Sequence, residues 1–400
     1  MKTSLATQSR TLLAVALATL ASATLHAEPL MIVGLDEKVG FDDGRPVLSL
    51  PGKDQVLVVD LVNPEEPKIV ATLPLKNSII GPPVNLAFTP DGTLALIADS
   101  MDVVREGDAL KNIPDNKLYV VDMTSSPPKH IDTVAVGKQP SGIDISPDGK
   151  LALIAHRADN SVGVITIDGR DVKIVDTVAM GDSIGHVAFS PDGRKAVATK
   201  VSAHKLSILE IGDDRKVTYT NLDLPTGHFP INVAVAPDGK IALTADVGNA
   251  AASDGSVDTI SVVDLEAKPP RIIDRVVVGD GPEGLAISPK GDVAAAVLIR
   301  GSFASEKAFF YNKSGSIAVL KIEGKNVTTI KEIEVGALPE GAVFTPDGRY
   351  LLVGNYLDQD FSILRVNGTE IIDTGKRFKV PGHPASARMG CGNQPCHINR

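Results

Sequence analysis

Short apolar runs alternate with polar turns along most of the chain, and the runs come in sets of four. Residues 141–146 form the first run of the clearest set, followed by the turn Pro147-Asp148-Gly149-Lys150. Residues 151–155, 161–167 and 172–178 supply three more. Runs this short, rich in β-branched residues and broken by Asp-Gly and Gly-rich turns, predict strands joined by hairpins. The third run of each set reads KLYVVD at 117–122, VGVITI at 162–167, KLSILEI at 205–211, TISVVDL at 259–265, SIAVLKI at 316–322 and FSILRV at 361–366. Apolar residues there alternate with small or polar ones or run on continuously, as in sheets packed face to face.

The turn after the first run fixes the period. It reads TPDG, SPDG, SPDG, APDG, SPKG and TPDG, with prolines at 90, 147, 191, 237, 289 and 346, so the spacings are 57, 44, 46, 52 and 57. Four strands per unit at a period near 50 predict a β-propeller. Six units begin near Val84, Ser141, Gly185, Ile231, Glu283 and Glu340. The ends complete a seventh. Residues 383–389 (HPASARM) start an innermost strand and stop, while 30–35, 55–61 and 68–75 match a second, third and fourth strand. The expected fold is therefore all-β: a seven-bladed ring closed by one C-terminal and three N-terminal strands, which leaves no open sheet edge.

These units resemble the YVTN-type seven-bladed propellers, a family of exported and surface-layer-like repeat proteins. The resemblance rests on YVVD at 119–122, on the VG-x-x-P approach at 136–140, 278–282 and 335–339, and on SPDG or TPDG after it. It covers nearly the whole chain after residue 27. It implies the ring, but the same ring occurs in lactonases, in large subunits of periplasmic amine dehydrogenases and in binding proteins, so it does not choose a function.

The first 27 residues read as a secretory signal. Lys2 and Arg10 precede an apolar stretch from Leu12 to Leu20, and small residues offer cleavage after Ala23 or Ala27. The stretch is too short to span a bilayer. The expected organisation is a signal peptide at 1–27 and a single propeller domain at 28–400, periplasmic or secreted. Removing two positive charges takes the formal net charge from -9 to -11. An acidic surface argues against nucleic acid as a partner. Cys391 and Cys396 are the two cysteines, and in an oxidising compartment a disulfide is expected. The string CGNQPCH also resembles a haem-attachment signal, but with four residues between the cysteines instead of two.

Position within each unit locates the candidate chemistry. The PDG turns repeat almost unchanged, whereas the connections between second and third strands are long at 36–54, 100–116, 247–256 and 300–312 and short elsewhere. Unequal insertions on one face mark a binding face. There the register predicts Asn85, Gly142, His186, Asn232, Gly284, Gly341 and Ser386, with Glu283 and Glu340 one place after their approach prolines. At the ends of the second strands it predicts Asp99, His156, Lys200, Asp246, Arg300 and Asn355. Within the inner strands, Ala87, Asp144, Ala188, Ala234, Ala286, Val343 and Arg388 are expected to face the channel. Asp144 and Arg388 are the charges in that set, which suggests an ion pair.

Three classes of function follow. The first is a binding or scaffold protein holding a small molecule, peptide or protein at the variable face over Asn232, Asp246, Glu283 and Glu340, with no cofactor. The second is a hydrolase of that funnel, with His156, His186 and Arg300 as catalytic candidates. Calcium-dependent propeller lactonases hold a metal near the channel mouth with Glu, Asn and Asp; with no residue-by-residue match to their motif, Asn85, Asp99 and Glu283 are candidate ligands by level and chemistry for Ca²⁺, a hard cation that takes oxygen donors. The third is a subunit of a periplasmic redox complex. No GxSxG nucleophile elbow is present. The absence of Trp and an aromatic content of 4% weaken any carbohydrate-stacking or quaternary-ammonium cage.

Overall fold

The computed structural model describes residues 29–248 and 253–390. The candidate signal peptide and the Cys391–Cys396 pair lie outside the described residues. Seven four-stranded antiparallel sheets follow one another around a ring. Blade 1 runs, from the axis outward, Pro384–Met389, Leu30–Leu35, Gln55–Asp60 and Lys68–Leu73. The last inner strand therefore pairs with the first strand of the chain, Arg388 opposite Ile32 and Met389 opposite Met31. The other inner strands are Leu86–Phe88 (blade 2), Pro140–Ile145 (blade 3), Ile184–Phe189 (blade 4), Pro230–Val235 (blade 5), Pro282–Ile287 (blade 6) and Pro339–Phe344 (blade 7). Each is followed outward by three strands in chain order. Among the described residues no helix is long and apolar enough to cross a membrane.

The core lies between blades. Leu94, Leu96, Ala98 and Leu118 of blade 2 pack on Ile143, Ile154 and Ile165 of blade 3, and comparable clusters fill the other junctions. Strand alternation gives each blade two such faces, one for each neighbour.

This geometry corrects one expectation. Ala87, Ala188, Ala234, Ala286 and Val343 sit in the clusters shared with the following blade, not in an open bore. Gly142, Gly284 and Gly341 are turned the same way. A Cβ at Gly142 would lie 2.3 Å from His186 Cδ2, one at Gly284 2.2 Å from the Glu340 carbonyl oxygen, and one at Gly341 2.8 Å from Ala387 N. Inner strands converge near the axis, so these positions are small because the next strand is close.

The PDG turns use their residues twice. Asp91, Asp148, Asp192, Asp238 and Asp347 each accept the backbone N–H two residues on at 3.0–3.1 Å. Ser or Thr at the start of the turn donates to that carboxylate at 2.6–2.7 Å in blades 2, 3, 4 and 7. The glycine takes a positive φ, +69° at Gly193, and meets the preceding blade. A Cβ at Gly193 would lie 3.2 Å from Pro147 Cδ, and the same relation joins Gly149 to Pro90 and Gly239 to Pro191.

The opposite face is irregular. Val39–Asp42 and Arg45–Leu48 form a separate hairpin, and Leu94–Glu106 and Ala109–Asp122 of blade 2 extend far past their neighbours. The first hairpin is anchored from below. Lys38 is buried, bonds the Asp54 carboxylate and the Asn77 carbonyl, and lies 3.2 Å from Asp36. Burial alone would lower its pKa, but Asp36 and Asp54 outweigh it, so the net shift is upward and the ammonium stays charged. Tyr356 of blade 7 reaches under the same hairpin, donating to the Val39 carbonyl at 2.6 Å.

Candidate active site in the funnel

In four blades the last residue of the second strand is a polar pin. His156, Lys200, Asp246 and Asn355 lie opposite the first residue of the inner strand. In three blades the pin accepts the N–H of an approach glycine: Gly137 to His156 Nε2 at 3.1 Å, Gly227 to Asp246 at 3.1 Å and Gly336 to Asn355 Oδ1 at 2.8 Å. The glycine is required because a Cβ at Gly137 would fall 2.3 Å from His156 Nδ1. Asp246 also accepts from Thr244, Thr259 and Ser261. Lys200 bonds Tyr219 at 2.8 Å and Asp223 at 3.0 Å. These side chains bond within their own blades, and His156 and Asp246 do not line the central cavity.

The residue after the pin emerges on the other side of the backbone. Arg157 follows His156, Ile299 follows Leu298 and Tyr356 follows Asn355. Arg157 and Ile299 line a central cavity of about 420 Å³. Its apolar walls include Phe41 of the hairpin, Ile79 and Ile80 before blade 2, Ile299 and Phe303 of blade 6, and Leu338 before blade 7. Phe41 and Phe303 meet with ring centroids 5.4 Å apart. Its polar side is Asn112, Arg157, Glu283 and Glu340.

Glu283 and Glu340 sit at the starts of adjacent inner strands and both are buried. Burial pushes Glu283 up to about 7, against the pull of the Arg157 charge. Burial, then the charge of Glu283, holds Glu340 well above the usual carboxylate range. Two close carboxyls in a low-dielectric site do not both ionise. Arg157 is pulled down by burial and pushed back by Glu283, but a guanidinium keeps its charge. It makes no hydrogen bond or ion pair through its side chain to any described residue. Glu340 Oε2 and Asn112 Oδ1 are likewise buried without a partner.

The other candidates lie elsewhere. His186 Nδ1 accepts from Val233 N at 3.4 Å, and the buried ring interacts with Asn232 of blade 5. Burial, reinforced by Arg388, takes its pKa down to about 3, and burial takes that of His156 down to about 4. Neither imidazole titrates near neutrality, as a general base there would need to. Arg300 faces a different cleft beside Phe309 and Phe310, 3.3 Å from Glu332. Asn232 donates to the Glu283 carbonyl at 3.2 Å.

Asn85 donates to the Ala98 carbonyl, Asp99 accepts from Tyr119 at 3.1 Å, and Glu283 faces Arg157. Among the described residues no three His, Cys, Asp or Glu are grouped to hold a metal ion. Asp144 and Arg388 form an ion pair at 3.2 Å across the inner strand of blade 2, and Asp144 also accepts from Phe189 N at 2.8 Å.

Arg157 and Asn112 were missed from sequence. The signal for Arg157 was present: a side chain next to an in-sheet pin must point the opposite way. Asn112 carries no comparable signal, because its hairpin has no counterpart in the other blades.

No protein-family model matches the chain, and no curated protein sequence matches it. Solved structures do. A candidate 6-phosphogluconolactonase from Bacteroides fragilis superposes with a TM-score of 0.69 at 16% identity, covering 92% of this chain and 99% of that one. The periplasmic gluconolactonase PpgL of Pseudomonas aeruginosa gives 0.67 at 16% identity, covering 91% and 99%. The dihydro-heme d1 dehydrogenase NirN gives 0.55 at 15% identity, covering 92% and 76%. At these identities the likeness is one of fold. The YVTN resemblance rests on its motifs alone.

Proposed function

We propose that this is an exported propeller that binds a small amphipathic molecule in its funnel. The carrying observation is the central cavity, with apolar walls and Arg157, Glu283 and Glu340 gathered on one side. Its size is within the roughly 300–1,000 Å³ of small-molecule sites, which are mostly apolar with a few oriented polar groups. The leader-like first 27 residues and the fold shared with a periplasmic gluconolactonase support an exported location. Titration with the uncharged probe N-phenyl-1-naphthylamine tests the reading. Saturable binding that Phe303→Ser weakens and Asp192→Ala leaves intact is expected. Binding indifferent to Phe303, or none, overturns it.

One observation favours a second, catalytic reading. Glu283, held near 7 by burial, is poised to exchange protons with a bound ester or lactone. In that role Glu340 stays protonated and donates to a carbonyl oxygen, while Glu283 in its ionised form orients water. A screen of lactones should then show turnover rising with pH through about 7 and lost in Glu283→Gln. Turnover that survives this change removes the reading.

A further inference from the structure

The polar side of the cavity specifies the charge of what it holds. From the geometry of Arg157 we infer that the cavity selects a monocarboxylate with an apolar body, its carboxylate on the Arg157 guanidinium. This deepens the binding reading above and rests on it.

Four observations support the assignment. The guanidinium opens on the cavity and makes no hydrogen bond or ion pair with any described residue. Arg157 is half-buried, with Glu283 as its charged neighbour and no acceptor hydrogen-bonded to its fork among the described residues, and a planar fork of donors matches a carboxylate. Second, other polar groups without partners border the same region. Ser141 Oγ is buried and unsatisfied, and a Cβ placed on Gly81 would lie 3.0 Å from it and 3.5 Å from Arg157 Nη1, so both groups converge there. Glu340 contributes one more such oxygen, which donates when its carboxyl is protonated.

Third, the acids do not cancel the cation. Glu340 faces Glu283 and Tyr356, and Glu283 faces Arg157. Burial holds both carboxyls high, and below about pH 7 Glu283 is a hydrogen-bond donor while Arg157 keeps its charge. A cationic ligand would have to displace that balance. Fourth, the walls are apolar. Phe41, Phe303, Ile299 and Leu338 offer nothing to the hydroxyls of a sugar acid, and burying those hydroxyls unpaired would cost free energy.

The test uses three probes of equal chain length at pH 6: octanoate, octanol and octylamine, each titrated calorimetrically into the intact protein. Octanoate is expected to bind about tenfold more tightly than octanol, the increment of one charge-assisted contact, with octylamine weakest. In Arg157→Gln the octanoate-to-octanol ratio should collapse towards one, and Arg157→Lys should keep part of it. Equal affinity for octanol, preference for octylamine, or a ratio unchanged in Arg157→Gln overturns the inference and leaves the amphiphile-binding reading standing. If N-phenyl-1-naphthylamine also fails to bind the wild type, it is that reading which fails.

Discussion

The two faces of the ring are built by opposite rules. On one, a turn of four residues recurs, with its carboxylate satisfied by its own backbone and its glycine set against the proline of the blade before. On the other, hairpins of unequal length surround a cavity where, among the described residues, the Arg157 side chain makes no hydrogen bond and Glu340 Oε2 and Asn112 Oδ1 accept none. Electrostatics separates them too. Burial alone would raise the turn carboxyls Asp148, Asp192 and Asp238, but hydrogen bonds outweigh it and their pKa values are lowered. Among the described residues Glu283 and Glu340 have no such donors, so burial wins. Repetition with satisfied groups marks the part that holds the ring. Irregularity with unsatisfied groups marks the part available to a ligand.

The largest expected effect lies between the faces. Asp144→Ala removes the acceptor of both Arg388 and Phe189 N and should cost about 3 kcal/mol or more in chemical denaturation. Replacing both Asp144 and Arg388 by apolar residues should recover part of that loss. A cost below about 1 kcal/mol would show the pair to be solvated.

Next comes pH. The folded-state pKa of Glu283 is raised from 4.5 to about 7. The native state therefore holds its proton where the unfolded chain has lost it, and stability falls as pH rises from about 4.5 through about 7. Glu283→Gln should remove on the order of 2–3 kcal/mol of that decline. Some decline remains, because Asp99 and Asp258 are also held high by burial. The turn aspartates act with the opposite sign. Their pKa values are lowered, so their contribution is present above the unfolded carboxyl range and is lost on acidification through the lowered values. A Glu283→Gln profile superimposable on the wild type between pH 5 and 8 would contradict the assignment.

Smaller effects sharpen the contrast. Gly193→Val forces a β-branched residue to positive φ against Pro147 and should cost about 2 kcal/mol. Asp238→Ala deletes one turn acceptor and should cost about 1 kcal/mol. Both should unfold earlier in urea with unchanged affinity for the funnel probe.

The ring was legible in the sequence because its determinants are local and repeated. A PDG turn and an apolar run carry their meaning within a few residues, and the split seventh unit was visible as two complementary fragments. The site was legible only in part. Glu283 and Glu340 were found because they follow prolines that mark the register. His156 was chosen where Arg157 follows it, and one residue along a strand reverses the side chain. Arg300 was two positions from the residue that pairs with Pro282, which is Leu298. The neutrality of His156 and His186 follows from burial by neighbouring blades, which composition and spacing do not express. Lys38 anchors the hairpin through contacts to Asp54 and Asn77 that no repeat announces.

Hydrogen–deuterium exchange with and without saturating N-phenyl-1-naphthylamine tests the division between the faces most directly. The account predicts slowed exchange at residues 39–48, 79–81 and 299–303, and no change at the turns around Asp148, Asp192, Asp238 and Asp347. Protection of those turns with the funnel segments unaffected would contradict it.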